Sequence, residues 1–243
     1  MRILSYNIHK GFSTGNRRFV LESMRDALRS INPDVVFLQE VIGKHAGHAR
    51  RQNAWPKTSQ FEYLADTIWP HHAYGRNAIS SVGHHGNALL SKHNFLSWEN
   101  IDVSTNPFER RGLLHGIINA EQEIHVICVH LNLLPNSRKA QIGRLCERIS
   151  HSVPPRSLLI IAGDFNDWQE SSCRQLESEL KVTEAYKSIH GKYARTFPCR
   201  WPLLRLDRIY VRGFQVLSAA CLNNHPWRDL SDHAALVTEL IPS

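Results

Sequence analysis

The chain has 243 residues and a net charge of +7, from 29 Lys and Arg against 22 Asp and Glu. That length suits one domain over residues 1–243 with an ample core, and the charge favours an anionic partner: nucleic acid, phospholipid headgroups or small phosphates. Five dispersed cysteines without a Cys-x-x-Cys pair argue against a disulfide scaffold and structural zinc, and no apolar run approaches the roughly 20 residues that span a bilayer.

A reducing, cytoplasmic setting is therefore expected, with peripheral membrane contact left open and a monomer as the expected state. The basic residues fall in short clusters, Arg17-Arg18, Arg50-Arg51 and Arg110-Arg111, without a stripe or tail, so the charge is a weak pointer to nucleic acid.

Arg2 to Asn7 alternates like a strand and breaks at Ile8-His9-Lys10-Gly11. Asn16 is the expected cap of a helix carrying Phe19, Val20, Met24, Ala27, Leu28 and Ile31 on one face, stopped by Asn32-Pro33. Asp34 to Leu38 reads as a second buried strand ending in Gln39-Glu40, which completes a βαβ unit. Residues 43–57 read as loop. Ser59 and Glu62 form a capping box before a helix to Trp69.

Short strands are expected over 71–76, 86–92, 101–104, 113–120 and 124–132, the last two as a hairpin. A helix over about Ser137 to His151 ends at Pro154-Pro155. Leu158 to Ala162 is a continuous apolar run, the mark of a strand buried on both faces, and Gly163 ends it. Asp164 and Asn166 follow, and in extended chain they point the same way. The plainer alternative there is an Asx-turn. A helix begun by Ser171 or Ser172 and strands over 206–211, 214–220 and 234–240 complete the chain. Two strand-rich halves with helices between them predict two sheets packed face to face with helices outside.

Asn7, Glu40, His130, Asp164, Asn166, Asp207, Asp232 and His233 all lie at predicted strand ends. One such residue is ordinarily a solvated strand end. Eight together suit metal-assisted attack of water on a phosphorus ester. Mg²⁺ prefers one or two carboxylates plus water and substrate oxygens, and Glu40 with Asn7 fits that sparse set. A carboxylate near the attacking water and a His facing the phosphoryl group supply acid–base chemistry, and an Asp beside a His fixes its tautomer. No Gly-x-x-x-x-Gly-Lys-Ser/Thr loop occurs, which argues against a P-loop hydrolase.

The segments Tyr6-Asn7-Ile8-His9, Leu38-Gln39-Glu40, Gly86-Asn87-Ala88-Leu89-Leu90-Ser91, Val129-His130-Leu131, Gly163-Asp164-Phe165-Asn166, Leu206-Asp207-Arg208-Ile209-Tyr210-Val211 and Ser231-Asp232-His233 span nearly the whole chain. In that order they resemble the endonuclease/exonuclease/phosphatase superfamily, and most of all a bacterial branch encoded near cardiolipin synthase genes. The resemblance implies a DNase I-like fold, a four-layered α/β sandwich of two packed mixed β-sheets flanked by helices. It also implies that Glu40 and Asn7 hold a catalytic Mg²⁺ or Mn²⁺ with Asp232 near it. Asp164 would orient or deprotonate the water, Asn166 would bond the phosphoryl oxygens, and His233, oriented by Asp207, would contact the scissile phosphate. His130 matches the sphingomyelinase and phosphatase branches, and Arg111 sits where several phosphatase-type members place a Lys-Gly. His9 stands where apurinic endonucleases carry Asp, which argues against a copied nuclease metal site.

Arg76, Asn87 and His9 are further candidates for substrate contact. The expected substrate is a phosphodiester in a phospholipid or small phosphorylated metabolite, with DNA or RNA cleavage as the alternative. A catalytically silent phosphate-binding module is the competing reading from another class. Trp55, Pro56 and the Trp69-Pro70 pair could form a substrate rim, although aromatics at helical spacing more often pack in a core.

Overall fold

In the first strand, β1 (Arg2–Asn7), Ile3 packs into one apolar cluster while Leu4 and Tyr6 pack into another, so successive side chains serve opposite faces of a sheet. The same division recurs in β2 (Val35–His45), where Val35 and Phe37 face the first cluster and Val36 and Leu38 the second. It recurs again in β8 (Leu158–Asp164), with Ile160 and Ala162 facing inward and Leu159 and Ile161 meeting a third cluster. The computed structural model describes residues 1–243 except 46, 48–51, 53, 82 and 172. The Arg50-Arg51 cluster, part of the expected 43–57 loop and Ser172 as a helix start lie outside the described residues.

The remaining elements are α1 (Leu21–Ile31), α2 (Gln60–Ala65), β3 (His71–Ser80), β4 (Gly83–Ser91), β5 (Phe95–Asp102), β6 (Gly112–Ala120), β7 (Gln122–His130) and α3 (Pro135–Ser152). After β8 come α4 (Cys173–Leu180), β9 (Thr183–Glu184), α5 (Ala185–His190), β10 (Asp207–Arg212), β11 (Phe214–Leu222) and β12 (Ala235–Pro242). Two six-stranded sheets result, ordered β11-β12-β1-β2-β4-β3 and β5-β6-β7-β8-β10-β9. Each contains one parallel pair, β1 with β2 and β7 with β8, and the other neighbours are antiparallel. The first cluster fills the space between the sheets. The second packs α1 and α2 on one outer face, and the third packs α3 and α4 on the other. This is the four-layered α/β sandwich of DNase I-like proteins.

Several boundaries differ from expectation. Helix α1 begins at Leu21, not after Asn16, because residues 14–16 form a 3-10 turn and Phe12 bridges Phe19. Its end is as expected: Asn32 takes a left-handed conformation and donates to the Leu28 carbonyl. The Ser59–Glu62 capping box forms with both reciprocal bonds, but α2 stops at Ala65 and Trp69 donates its indole N–H to the Pro33 carbonyl at 2.8 Å. Strand β2 runs on to His45, through residues expected to be loop. The β9–α5 segment went unpredicted, although Gly191 at φ 70° is an ordinary helix-stop signal.

Candidate active site

Both parallel pairs end at the same edge of the sandwich, in register: Asn7 opposite Gln39, and His130 opposite Asp164. The antiparallel neighbours deliver their starts to that edge. Asp207 opens β10 opposite Asp164, and Ser231, Asp232 and His233 lead into β12 beside β1. Ser231 ties that approach down by donating to the Asn7 carbonyl at 2.8 Å.

Across the seam between the sheets, His233 Nδ1 donates to Asp207 Oδ2 at 2.9 Å, and its Nε2 lies 3.7 Å from Asp164 Oδ2. His130 Nε2 approaches the same Asp164 oxygen at 3.5 Å, and Asn7 Nδ2 donates to it at 3.2 Å. The Asn7 amide also lies 3.5 Å from Glu40 Oε1. Asp164, Asp207, His130 and His233 are all buried.

Burial sets the electrostatics of this group. Desolvation, with Asp207 adding to it, pushes the Asp164 carboxyl up to about 6 against the opposing pull of His233. Burial alone would discharge His233, but Asp207 and Asp164 outweigh it and hold the imidazolium up at about 10. His130 is driven well below the ordinary histidine range by burial and then by the nearby Arg111 and His233, so it is a neutral ring. Asp207 Oδ1 is buried without a hydrogen-bond partner among the described residues.

Glu40 reaches the site by a backbone irregularity. Pairing of β2 with β4 skips from Leu38 to Val41, and Glu40 sits in that bulge at φ 56°. His9, Lys10 and Asn166 also adopt positive φ, at 45°, 58° and 51°. Such conformations cost on the order of 1–3 kcal/mol each and gather at functional sites. Gly163, at φ 147°, brings β8 so close to β7 that a Cβ there would meet the Val129 carbonyl oxygen at 2.0 Å. That closeness places Asp164 beside His130.

The expectation that Asp164 and Asn166 point the same way along an extended chain is corrected. The chain turns: Asp164 Oδ1 accepts the Asn166 N–H at 3.0 Å, an Asx-turn, and Asn166 Nδ2 donates to the Leu131 carbonyl at 2.8 Å. Buried Asn87 donates to the carbonyls of Gly112 at 3.0 Å and Cys128 at 3.3 Å, which ties β4 to the second sheet. His9 Nδ1 lies 3.6 Å from Asp232. Arg111 is paired to Glu109 at 2.7 Å and, with Arg76, lines a cavity of about 300 Å³.

Sequence reasoning missed four contributors. Lys10 Nζ is 3.8 Å from Glu40 Oε2, and the Phe197 ring packs 5.0 Å from the His233 ring. Buried Arg208 donates to the carbonyls of Arg205 and Asp167, and buried Arg138 donates to the Leu133 carbonyl while approaching the Asp167 carboxylate at 3.5 Å. These two guanidinium groups clamp the loops that follow His130 and Asp164 and precede Asp207. Of the four, Arg208 lies within the Leu206-Asp207-Arg208-Ile209-Tyr210-Val211 segment that carries the family resemblance.

The donor set fits a hard divalent cation. Glu40, partly exposed, sets its carboxylate 3.5 Å from one neutral amide, that of Asn7. A cation supplies the positive charge that an amide cannot, and oxygen ligands suit Mg²⁺ or Mn²⁺. Asn7 Oδ1 accepts from the His9 N–H at 3.0 Å, which leaves its second lone pair. The cluster of Asp164, Asp207 and His233 has ligand atoms within 4.8 Å of one another, but His233 already fills the space between the two carboxylates. The imidazole thus occupies the place that a cation would take between them.

Solved structures share this architecture. A protein from Beutenbergia cavernae DSM 12333, described as an endonuclease/exonuclease/phosphatase, aligns with a TM-score of 0.79 at 18% identity, covering 100% of this chain and 72% of that one. D. rerio TDP2 in complex with a single-strand DNA product aligns with a TM-score of 0.74 at 21% identity, over 99% and 98% of the two chains. The fold is thus the DNase I-like one. The chain belongs to the Endonuclease/Exonuclease/phosphatase family, whose model matches residues 4–233, and it is a hydrolase of phosphoric ester bonds. In sequence it is 45% identical over 242 residues to the uncharacterized protein YbhP of Escherichia coli (strain K12), covering 98% of this chain and 95% of that protein.

Proposed function

We propose that the protein is a Mg²⁺- or Mn²⁺-dependent phosphoesterase that hydrolyses a phosphodiester of a small phosphorylated metabolite or phospholipid. The observation that carries this reading is the relay Asp207–His233–Asp164 closed across the two sheets, with Asn7 linking it to Glu40. Glu40 and Asn7, with Asp232, would hold the cation, which would supply positive charge to neutralise the phosphoryl oxygens. Asp164 takes a proton from the attacking water, whose oxygen forms the new bond to phosphorus. His233, kept protonated by Asp207, gives its Nε2 proton to the departing oxygen as the old ester bond breaks. Neutral His130 orients water and Asp164, while Asn166, Arg111, Arg76 and His9 position the phosphate. Residues 1–243 work as one domain, since the relay takes groups from both sheets.

Hydrolysis of DNA or RNA is the second reading, favoured by the net charge of +7. Among the described residues no helix is long and apolar enough to cross a membrane. The test is turnover on an aryl phosphodiester, anionic phospholipid, duplex DNA and single-stranded RNA, each with Mg²⁺, Mn²⁺ or EDTA. Loss of turnover with EDTA and in Asp164→Ala and His233→Ala supports the hydrolase, and the best substrate selects between the readings. Turnover that survives EDTA or either substitution overturns the assignment of roles.

A further inference from the structure

Beyond Glu40, strand β2 continues through Gly43 and Lys44 and forms one wall of a cavity of about 850 Å³. The segment from Trp55 to Glu62 and residues of β3 and β4 form the others. The catalytic arrangement uses only Arg76 of this lining. Tyr74 Oη donates to the carbonyl of Val41, the residue after Glu40, at 3.2 Å, which ties a wall of the cavity to the strand segment that follows the Glu40 bulge. Arg76 also lines the smaller cavity that holds Arg111, and so stands between the two spaces.

The walls are of two kinds. Trp55, Phe61 and Tyr74 present flat apolar surface, and each ring is braced. Phe61 stacks on Tyr74 at 4.6 Å and 15°, and Trp55 stacks on Phe19 at 4.9 Å. Braced rings keep the space open instead of collapsing into it. Lys44, Lys57 and Arg76 are exposed and give the rim three positive charges. Glu62, the one acid in that lining, is spent on the Ser59 backbone N–H at 2.9 Å and hydroxyl at 2.6 Å. The resulting field is felt inside. Burial, and then the charges of Arg76 and Lys44, hold His84 below the usual histidine range, leaving a neutral ring 3.0 Å from Tyr74 Oη.

We propose that this cavity binds the part of the substrate remote from the scissile ester, and that this part is a nucleoside phosphate: a flat heteroaromatic ring carrying a second phosphate. The inference rests on the phosphoesterase reading for the position of the scissile bond. The volume falls in the range of small-molecule sites. Braced aromatic rings suit a stacked base, and the cationic rim suits a phosphate. An acyl chain finds three charges around the entrance, and inorganic phosphate leaves the aromatic wall unused.

The test is calorimetric binding of thymidine 3′,5′-bisphosphate to the full chain in EDTA, where no turnover is required. It is expected to bind at least about 10-fold more tightly than fructose 1,6-bisphosphate, which has two phosphates and no base. Trp55→Ala and the pair Lys44→Ala with Lys57→Ala are each expected to weaken it about 10-fold, while Trp55→Phe, which keeps a ring, stays within about 3-fold of the parent. Equal affinity for the two bisphosphates overturns the base site, and so does unchanged binding in Trp55→Ala. A loss in Trp55→Phe as large as in Trp55→Ala, with melting unchanged, also overturns it. Bisphosphate binding with this pattern in a chain that hydrolyses no ester leaves the pocket standing and removes the phosphoesterase reading. Metal-dependent turnover with no bisphosphate preference does the reverse.

Discussion

Each sheet contains one parallel strand pair joined by a crossover helix, β1–α1–β2 in the first and β7–α3–β8 in the second, and an antiparallel strand starts beside each pair's end. The ends differ in burial. In the first sheet Glu40 rides on a bulge with its side chain 22% exposed, next to the half-exposed Lys10, and Asn7 offers a neutral amide. In the second sheet His130 and Asp164 are enclosed, and enclosure moves both away from their ordinary protonation ranges. A partly solvated carboxylate accepts a cation at little desolvation cost, whereas a buried carboxyl and imidazole are tuned for proton transfer. On the proposed reading, one supersecondary plan thus yields an electrostatic half and a proton-handling half.

The largest expected effect comes from breaking the proton-handling half. Asp164→Asn and His233→Gln are each expected to lower kcat by about 10³–10⁴-fold. If they act as one unit, the double variant loses no more than about 10-fold beyond the worse single variant. Steady-state kinetics on the best substrate of the panel decides this, and fully multiplicative losses would show that the relay is not shared.

Breaking the electrostatic half should look different. Glu40→Gln keeps shape and hydrogen bonding but removes the carboxylate charge, so the Mg²⁺ midpoint for activity is expected to rise about 10–100-fold, with recovery at high metal. Because Glu40 is partly exposed, the melting temperature should change little. A kcat that stays depressed at saturating Mg²⁺ would instead put Glu40 in the proton chemistry.

The unequal burial also explains what could be read from the chain alone. β8 and the first half of β2 were legible because both faces are apolar, and β1 because its residues alternate, so the polar residues that end them stand out. The Ser59–Glu62 box was legible because capping is local. Glu40's bulge was not, since two residues facing one across a ladder is a property of pairing with β4. The start of α1 was missed because the bridge between Phe12 and Phe19 holds residues 13–18 out of the helix. Nothing local marks Arg138 and Arg208 for burial, since the backbone carbonyls of the site loops that draw them inside are brought there by the fold.

Stability against pH sharpens the comparison further. His233 is held at about 10 in the fold, while an unfolded histidine titrates near about 6.5. The folded chain therefore keeps a proton that the unfolded chain releases between those values. Stability from the His233 pairings is fully present below about pH 6.5 and is lost as pH rises through 10. Denaturant midpoints of the parent are expected to fall across that window, and those of His233→Gln to fall less. Parallel slopes would mean that the buried pairing is not the source.

The smallest expected effect tests the border between the halves. Lys10 Nζ lies 3.8 Å from Glu40 Oε2, and both side chains are in part solvated, so the pair is worth about 0–1 kcal/mol. A lysine ammonium and a divalent cation cannot both stand against one carboxylate without repulsion. Lys10→Ala is therefore expected to lower the Mg²⁺ midpoint by up to about 5-fold, the factor that 1 kcal/mol provides, opposite in sign to Glu40→Gln. High salt should shrink the difference, because exposed charges are screened while the buried relay is not. If the midpoint instead rises in Lys10→Ala, the lysine acts with the cation on a shared anionic ligand, and its place is with the substrate rather than with Glu40.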